Sequence, residues 1–291
     1  MDGTLTDTLL PPEMARKAED IGVIKAGMGM LKTSALAVLA GAFIAFGAVF
    51  STVVTTGSTM SFGVTKLLGG VAFSLGLILV VVGGAELFTG NNLMIMAWAS
   101  RKIKLSHVLK NWFYVYAGNM FGAFSIVALI LISGQYLFGG GATGLRMLEI
   151  AKAKCELGFS QAIALGVLCN ILVCLAIWLC YSAKSAHGKI LAIVFPITAF
   201  VAAGFEHSVA NMYFVPMGIL LKTTGGPEFW NLIHGAAAQY ASLTWGHFFI
   251  RNLLPVTIGN IIGGAIFVGM AYWFIYLRGE KSPEIQGEAQ A

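Results

Sequence analysis

Charge is what this sequence has least of. Asp, Glu, Lys and Arg make up 11% of its 291 residues, against roughly 25% in ordinary soluble domains, and 57% are hydrophobic. So few charges cannot coat the two soluble domains that this length would otherwise suggest. Cysteine is also scarce. Cys169, Cys174 and Cys180 share one apolar run and Cys155 precedes it, forming neither a CxxC pair nor a zinc pattern. They read as small packing residues. No G-x4-G-K-[ST], H-E-x-x-H or G-x-S-x-G motif occurs, and the histidines lie in separate segments. That argues against an enzyme, and no cofactor or metal is expected. The formal net charge of +5 is scattered over loops without a basic stripe, which argues against nucleic acid as a partner. A signal peptide is lacking too: Asp2, Asp7, Pro11 and Pro12 precede the first apolar core near Leu31.

What is abundant is apolar sequence in long runs, with 36 glycines. A helix needs about 20 mostly apolar residues to cross hydrocarbon, and small residues let such helices approach closely. The runs predict an all-α membrane protein with six spans, at about 31–55, 64–99, 107–137, 159–182, 190–221 and 247–277. Met14, Ile21, Ile24, Met28 and Leu31 recur at helical spacing among charges, predicting an amphipathic helix over 15–32 lying on the membrane surface. The organisation is then an N-terminal segment 1–30, a six-helix domain 31–278 and a tail 279–291. A Gly-rich loop at 139–144, a polar segment to Glu156 and a loop over 222–246 are the longest connections. An even number of spans puts both termini on one side. If that side is cytoplasmic it holds twelve Lys and Arg, while the other holds six: Lys66, Arg146, Lys152, Lys154, Lys222 and Arg251. The positive-inside rule then makes both termini cytoplasmic.

Spans two and five are too long for one straight crossing, and each contains a polar, glycine-bearing interruption. G-A-E-L-F-T-G-N at 84–91 and G-F-E-H-S-V-A-N at 204–211 share Gly, Glu and Asn at matching positions. A second match follows in spans three and six: Asn111, Val115, Gly118, Asn119 and Gly122 against Asn252, Val256, Gly259, Asn260 and Gly263. Two matches in the same order make a repeat of three spans. Because three is odd, the halves enter the membrane from opposite sides. Paired interrupted helices in such a 3+3 inverted repeat point to a midplane site. Each break frees backbone groups that cost several kcal/mol unless satisfied.

The ionisable residues deep in the spans are Glu86, Glu206 and His207, all in the breaks, and an intramembrane charge marks function by default. His207, opposite Thr89, can donate to a passing anion or act as a switch. Glu86 and Glu206 would repel an anion, so they are expected to face away and accept hydrogen bonds from freed backbone N–H groups. Asn91 and Asn211 are expected to brace the same loops. Phe73, Leu77, Leu87 and Phe200 flank the breaks, either as core packing or as hydrophobic constrictions.

The stretches G-A-E-L-F-T-G-N-N at 84–92, K-N-W-F-Y-V-Y-A-G-N at 110–119, A-G-F-E-H-S-V-A-N-M at 203–212 and P-V-T-I-G-N-I-I-G-G at 255–264 resemble the formate/nitrite transporter family, its formate-channel branch above all. The resemblance extends from about Leu10 to Arg278. It implies an aquaporin-like six-helix protomer, a homopentamer with one pore per protomer in the inner membrane, and conduction of formate. Nitrite or hydrosulfide is the alternative within the family, and a neutral solute such as water or ammonia the alternative outside it. It further implies that Thr89 and His207 form the polar pair at the pore centre and that Leu77, Leu87 and Phe200 are its constrictions. Phe73 corresponds to a cytoplasmic slit. Lys154 corresponds to an outer-vestibule lysine that attracts anions, with Asn170 in the same region. The N-terminal helix is implied in pH-dependent gating.

Overall fold

The computed structural model describes residues 8–279; residues 1–7 and the tail expected from 280 onward lie outside them. Among the described residues every named element is helical. α1 is Pro11–Gly27, α2 Met30–Thr55, α3 Phe62–Gly83, α4 Phe88–Asn91, α5 Ile95–Ala99 and α6 Leu105–Ile132. α7 is Ala142–Cys155, α8 Phe159–Ser182, α9 Ala186–Ala202, α10 Ser208–Thr224, α11 Pro227–Leu232 and α12 His247–Tyr276. The helices α2, α3, α6, α8 and α12 are long and apolar enough to cross a membrane, and α9 is a shorter apolar helix. The chain is a multi-pass membrane protein.

The packing follows from small residues. α2 buries Ala37, Ala40, Gly41, Ile44, Ala45 and Ala48, a stripe at helical spacing narrow enough for α3 and α6 to lie against it. A Cβ on Gly122 of α6 would overlap the Val38 carbonyl of α2, and one on Gly263 of α12 would overlap the Val167 carbonyl of α8. The repeated glycines of the sequence therefore mark backbone-to-backbone contact in both halves. α3 packs on α9, joining the halves.

Two expectations are corrected. The N-terminal helix covers 11–27 rather than 15–32, and it docks on protein. It buries Met14, Ala15, Ala18, Glu19 and Gly22 against the α5 region and α8, while Ile24 and Leu31 stay 66% and 84% exposed. Apart from Met14, which both readings share, and Glu19, the buried stripe is built of small residues, so a search for large apolar ones missed most of it. The segment before Glu156, expected as loop and polar stretch, is the helix α7. Three glycines with positive φ, Gly139, Gly140 and Gly141, lead into it, and it buries Met147, Leu148, Ala151 and Cys155 at helical spacing. The loop over 222–246 also contains α11 and a 3₁₀ turn at Ala237–Tyr240.

Candidate functional site

α3 stops at Gly84 because that residue takes a left-handed conformation, φ 80°. Gly84 N–H donates to Val80 O, and Ala85 N–H to the same carbonyl, a glycine-terminated helix end. α9 ends alike: Gly204 has φ 73° and Phe205 N–H donates to Phe200 O. Glu86 N–H then donates to Leu36 O on α2, and Glu206 N–H to Leu165 O on α8, each at 3.2 Å. Helix resumes at Phe88 and at Ser208, so both interruptions are shorter than the eight-residue motifs, and Asn91 and Asn211 lie inside helix.

The freed main-chain groups are collected by one asparagine in each half. Asn119 Oδ1 accepts from Phe88 N–H at 2.9 Å, and its amide donates to Ala37 O and Glu86 O. Asn260 Oδ1 accepts from Ser208 N–H at 2.9 Å, and its amide donates to Gly166 O and Glu206 O. This corrects the role given to the glutamates. Their carboxylates bond side chains, and the asparagines satisfy the backbone, because a primary amide offers acceptor and donors together while a carboxylate only accepts.

Each glutamate is instead the buried half of an ion pair. Lys25 Nζ, from α1, donates to Glu86 Oε1 and Oε2 at 2.9 and 3.0 Å and to Asn91 Oδ1 at 2.7 Å. Asn91 Nδ2 bridges Glu86 to Asn111. In the second half Lys154 Nζ, from α7, donates to Glu206 Oε1 at 2.8 Å, and Asn211 Nδ2 bridges Glu206 to Asn252. Lys25 and Lys154 each stand five residues before the following helix, at Met30 and Phe159. That shared register relates the two lysines, while their pairing with Glu86 and Glu206 is seen only in the fold.

Thr89 Oγ1 and His207 Nε2 are 2.9 Å apart and buried. His207 Nδ1 accepts the Ala210 N–H at 3.1 Å, capping α10. That bond fixes the tautomer: Nδ1 is the bare nitrogen, so a neutral ring carries its proton on Nε2 and donates it to Thr89 Oγ1. The threonine O–H then remains a donor for a solute. Phe200 stacks on the imidazole, centroids 5.9 Å apart, and meets Phe73 edge-on at 5.6 Å. Leu77 and Leu87 belong to the same buried apolar cluster.

A cavity of about 310 Å³ reaches His207, with Thr89 buried behind it. Its wall combines Phe73, Phe200, Phe214 and His207 with Lys66, Arg146, Lys154, Glu149 and Glu206, and Lys154 Nζ lies 5.3 Å from the Phe214 ring centroid. Phe73 therefore lines the same cavity as Lys154, not a separate slit. Asn170 is corrected as well. It is fully buried and donates to Thr89 O, Asn92 Oδ1 and Asn260 O, so it is a strut behind the Thr89 segment and not part of the cavity wall. Lys66 and Arg146, counted in the sequence only toward orientation, share the cavity. Neither has a motif to announce it; α7 had to be recognised as a helix before Arg146 could be placed beside Lys154.

The formate/nitrite transporter family model matches residues 12–274. The formate channel FocA of Escherichia coli (strain K12) is 49% identical over 273 residues, covering 94% of this chain and 96% of that protein. The formate channel FocA of Haemophilus influenzae is 43% identical, covering 90% and 93%. A solved structure of a pentameric formate channel with formate bound superimposes with a TM-score of 0.82 at 48% identity, covering 85% of this chain and 98% of that one. These relatives are channels, not enzymes. The chain belongs to the formate/nitrite transporter family.

Proposed function

We propose that this protein is a channel for small monovalent anions, formate foremost, working as a homopentamer in the inner membrane with both termini cytoplasmic. The observation that carries the reading is the Thr89–His207 pair, buried among apolar side chains, with His207 in the wall of a cationic cavity. A bare charge passing Phe73, Phe200, Leu77 and Leu87 loses its water. A hydrogen bond to a charged group contributes about 1.5–3 kcal/mol, so the Thr89 O–H, left as a donor because the His207 Nε2–H is given to Thr89 Oγ1, offsets part of that loss. In this tautomer His207 acts by donating a hydrogen bond. Giving up a whole proton requires the imidazolium, whose Nδ1–H would displace the Ala210 cap. A 3+3 inverted repeat is supported by the matched helix ends at Gly84 and Gly204, the matched braces Asn119 and Asn260, and the matched pairs Lys25–Glu86 and Lys154–Glu206. The formate bound in the related pentamer supports the substrate, and the distribution of Lys and Arg supports the orientation.

The test is flux of labelled formate into proteoliposomes holding the purified protein, with nitrite, hydrosulfide, acetate and lactate as competitors. We expect saturable formate uptake, and a loss of tenfold or more in His207→Phe, which removes both the donor and the cap (~1.5–3 kcal/mol for the donor alone). Wild-type uptake no faster than in empty vesicles, or uptake indifferent to His207→Phe, would sink the reading.

A further inference from the structure

We infer that Lys66 is the charge that recruits the permeating anion at the cavity mouth, and that Lys154 serves chiefly to brace the Gly204 turn; this rests on the channel reading above. Three cations line the cavity, and two are occupied. Lys154 Nζ is 2.8 Å from Glu206, in a pair whose counterpart Lys25–Glu86 recurs in the other half. Bracing therefore accounts for that lysine without appeal to the solute. Arg146 donates to Glu149 at 3.2 Å and to Thr55 Oγ1. Among the described residues no carboxylate lies within ion-pair distance of Lys66. Its neighbour is the Phe62 ring, 5.5 Å from Nζ, whose face steadies an ammonium without neutralising it. Against the cavity's two carboxylates, Glu149 and Glu206, Lys66 supplies the uncompensated positive charge.

Its position suits recruitment. Lys66 and Phe73 are seven residues apart on α3, two turns along nearly one face, which is about 10 Å of helix. An anion drawn to Lys66 is thus held two turns from the Phe73–Phe200 contact, beyond which the Thr89–His207 donors lie. A half-screened mouth with low-dielectric walls concentrates ions of opposite sign and raises their entry rate. The ligand class is a small monovalent oxyanion, held by charge and released easily because no second donor fixes it.

The experiment is formate conductance of wild type, Lys66→Met, Lys66→Arg and Lys66→Glu in planar bilayers, from dilute to saturating formate. An impermeant electrolyte sets ionic strength to about 0.01 or about 1 M, where the screening length is about 30 or about 3 Å. For Lys66→Met we expect conductance at dilute formate and low ionic strength to fall roughly two- to tenfold, with little change at saturation or at high ionic strength. Lys66→Arg should match wild type and Lys66→Glu should fall further. A conducting wild type that Lys66→Met matches at low ionic strength overturns this inference alone. So does a loss in Lys66→Met that is equal at both ionic strengths and at saturation. A wild type carrying no formate current overturns the channel reading and this inference with it.

Discussion

At the scale of residues, the site is held by amides and tuned by one histidine. Asn119 satisfies an N–H and two carbonyls that no water can reach. Leaving a buried polar group unpaired costs about 1–3 kcal/mol, so Asn119→Ala should destabilise by roughly 3 kcal/mol or more. Thermal unfolding in detergent would read this, with Asn260→Ala giving a similar loss. Ser125→Ala is the control, since its hydroxyl bonds only its own helix at an exposed position. Asn119 and Asn260 stood out in the sequence as repeated positions, but their task did not. The motif spacing says that two asparagines correspond; only the fold says which carbonyls lie within reach of an amide. The glutamates misled for the same reason, since their lysine partners come from segments far away in sequence.

At the scale of elements, α1 is tied to the body by two lysine pairs of different kinds. Lys25 reaches Glu86 with side chains 21% and 7% exposed. Removing one member of a buried pair costs about 3–5 kcal/mol, so Lys25→Met should speed hydrogen exchange in α1 by about a hundredfold or more. Lys102, from the loop after α5, reaches Glu19 and Asp20 while itself 43% exposed. A pair so open to water contributes about 0–1 kcal/mol, so Lys102→Gln should change exchange by no more than about fivefold. Burial lowers the Lys102 pKa, but its hydrogen bonds and charge contacts with Glu19 and Asp20 outweigh that and hold it above the ordinary value of 10.5. Its contribution is therefore complete below pH 10.5 and is lost only as pH rises through the raised value. A response of α1 to pH near neutrality cannot come from Lys102. The long apolar helices were legible from hydropathy, whereas α7 and the docked face of α1 were not. Their buried stripes are alanine, glycine and single large residues, which carry little hydropathy and act by shape.

At the scale of the whole molecule, one chain supplies every residue of the candidate site. The cavity, the Phe73–Phe200 contact and the Thr89–His207 pair all come from the same copy. If five copies assemble, their pores should work independently. Pentamers formed from wild-type and His207→Phe chains in known ratio should then lose formate flux in proportion to the mutant fraction. A steep loss at a small fraction would show that the copies are coupled instead. The two pairs of matching motifs were visible in the sequence, and one pore per protomer was implied by the family resemblance; which cations share a cavity with His207 became legible only in the fold.

The bracing of the Gly84 turn by Asn119 has a consequence for how such a protein can change. The main chain of that turn is secured from outside, with the Thr89 carbonyl held by Asn170 and Cys174, so the Leu87 side chain carries none of its hydrogen bonding and the Thr89 side chain bonds only His207. They are free to be exchanged while the architecture stands. His207 is not, because its ring both caps α10 and meets the solute. Selectivity in this chain is therefore adjustable on one side of the pore and fixed on the other, and a search for altered substrate preference should begin at positions 87 and 89.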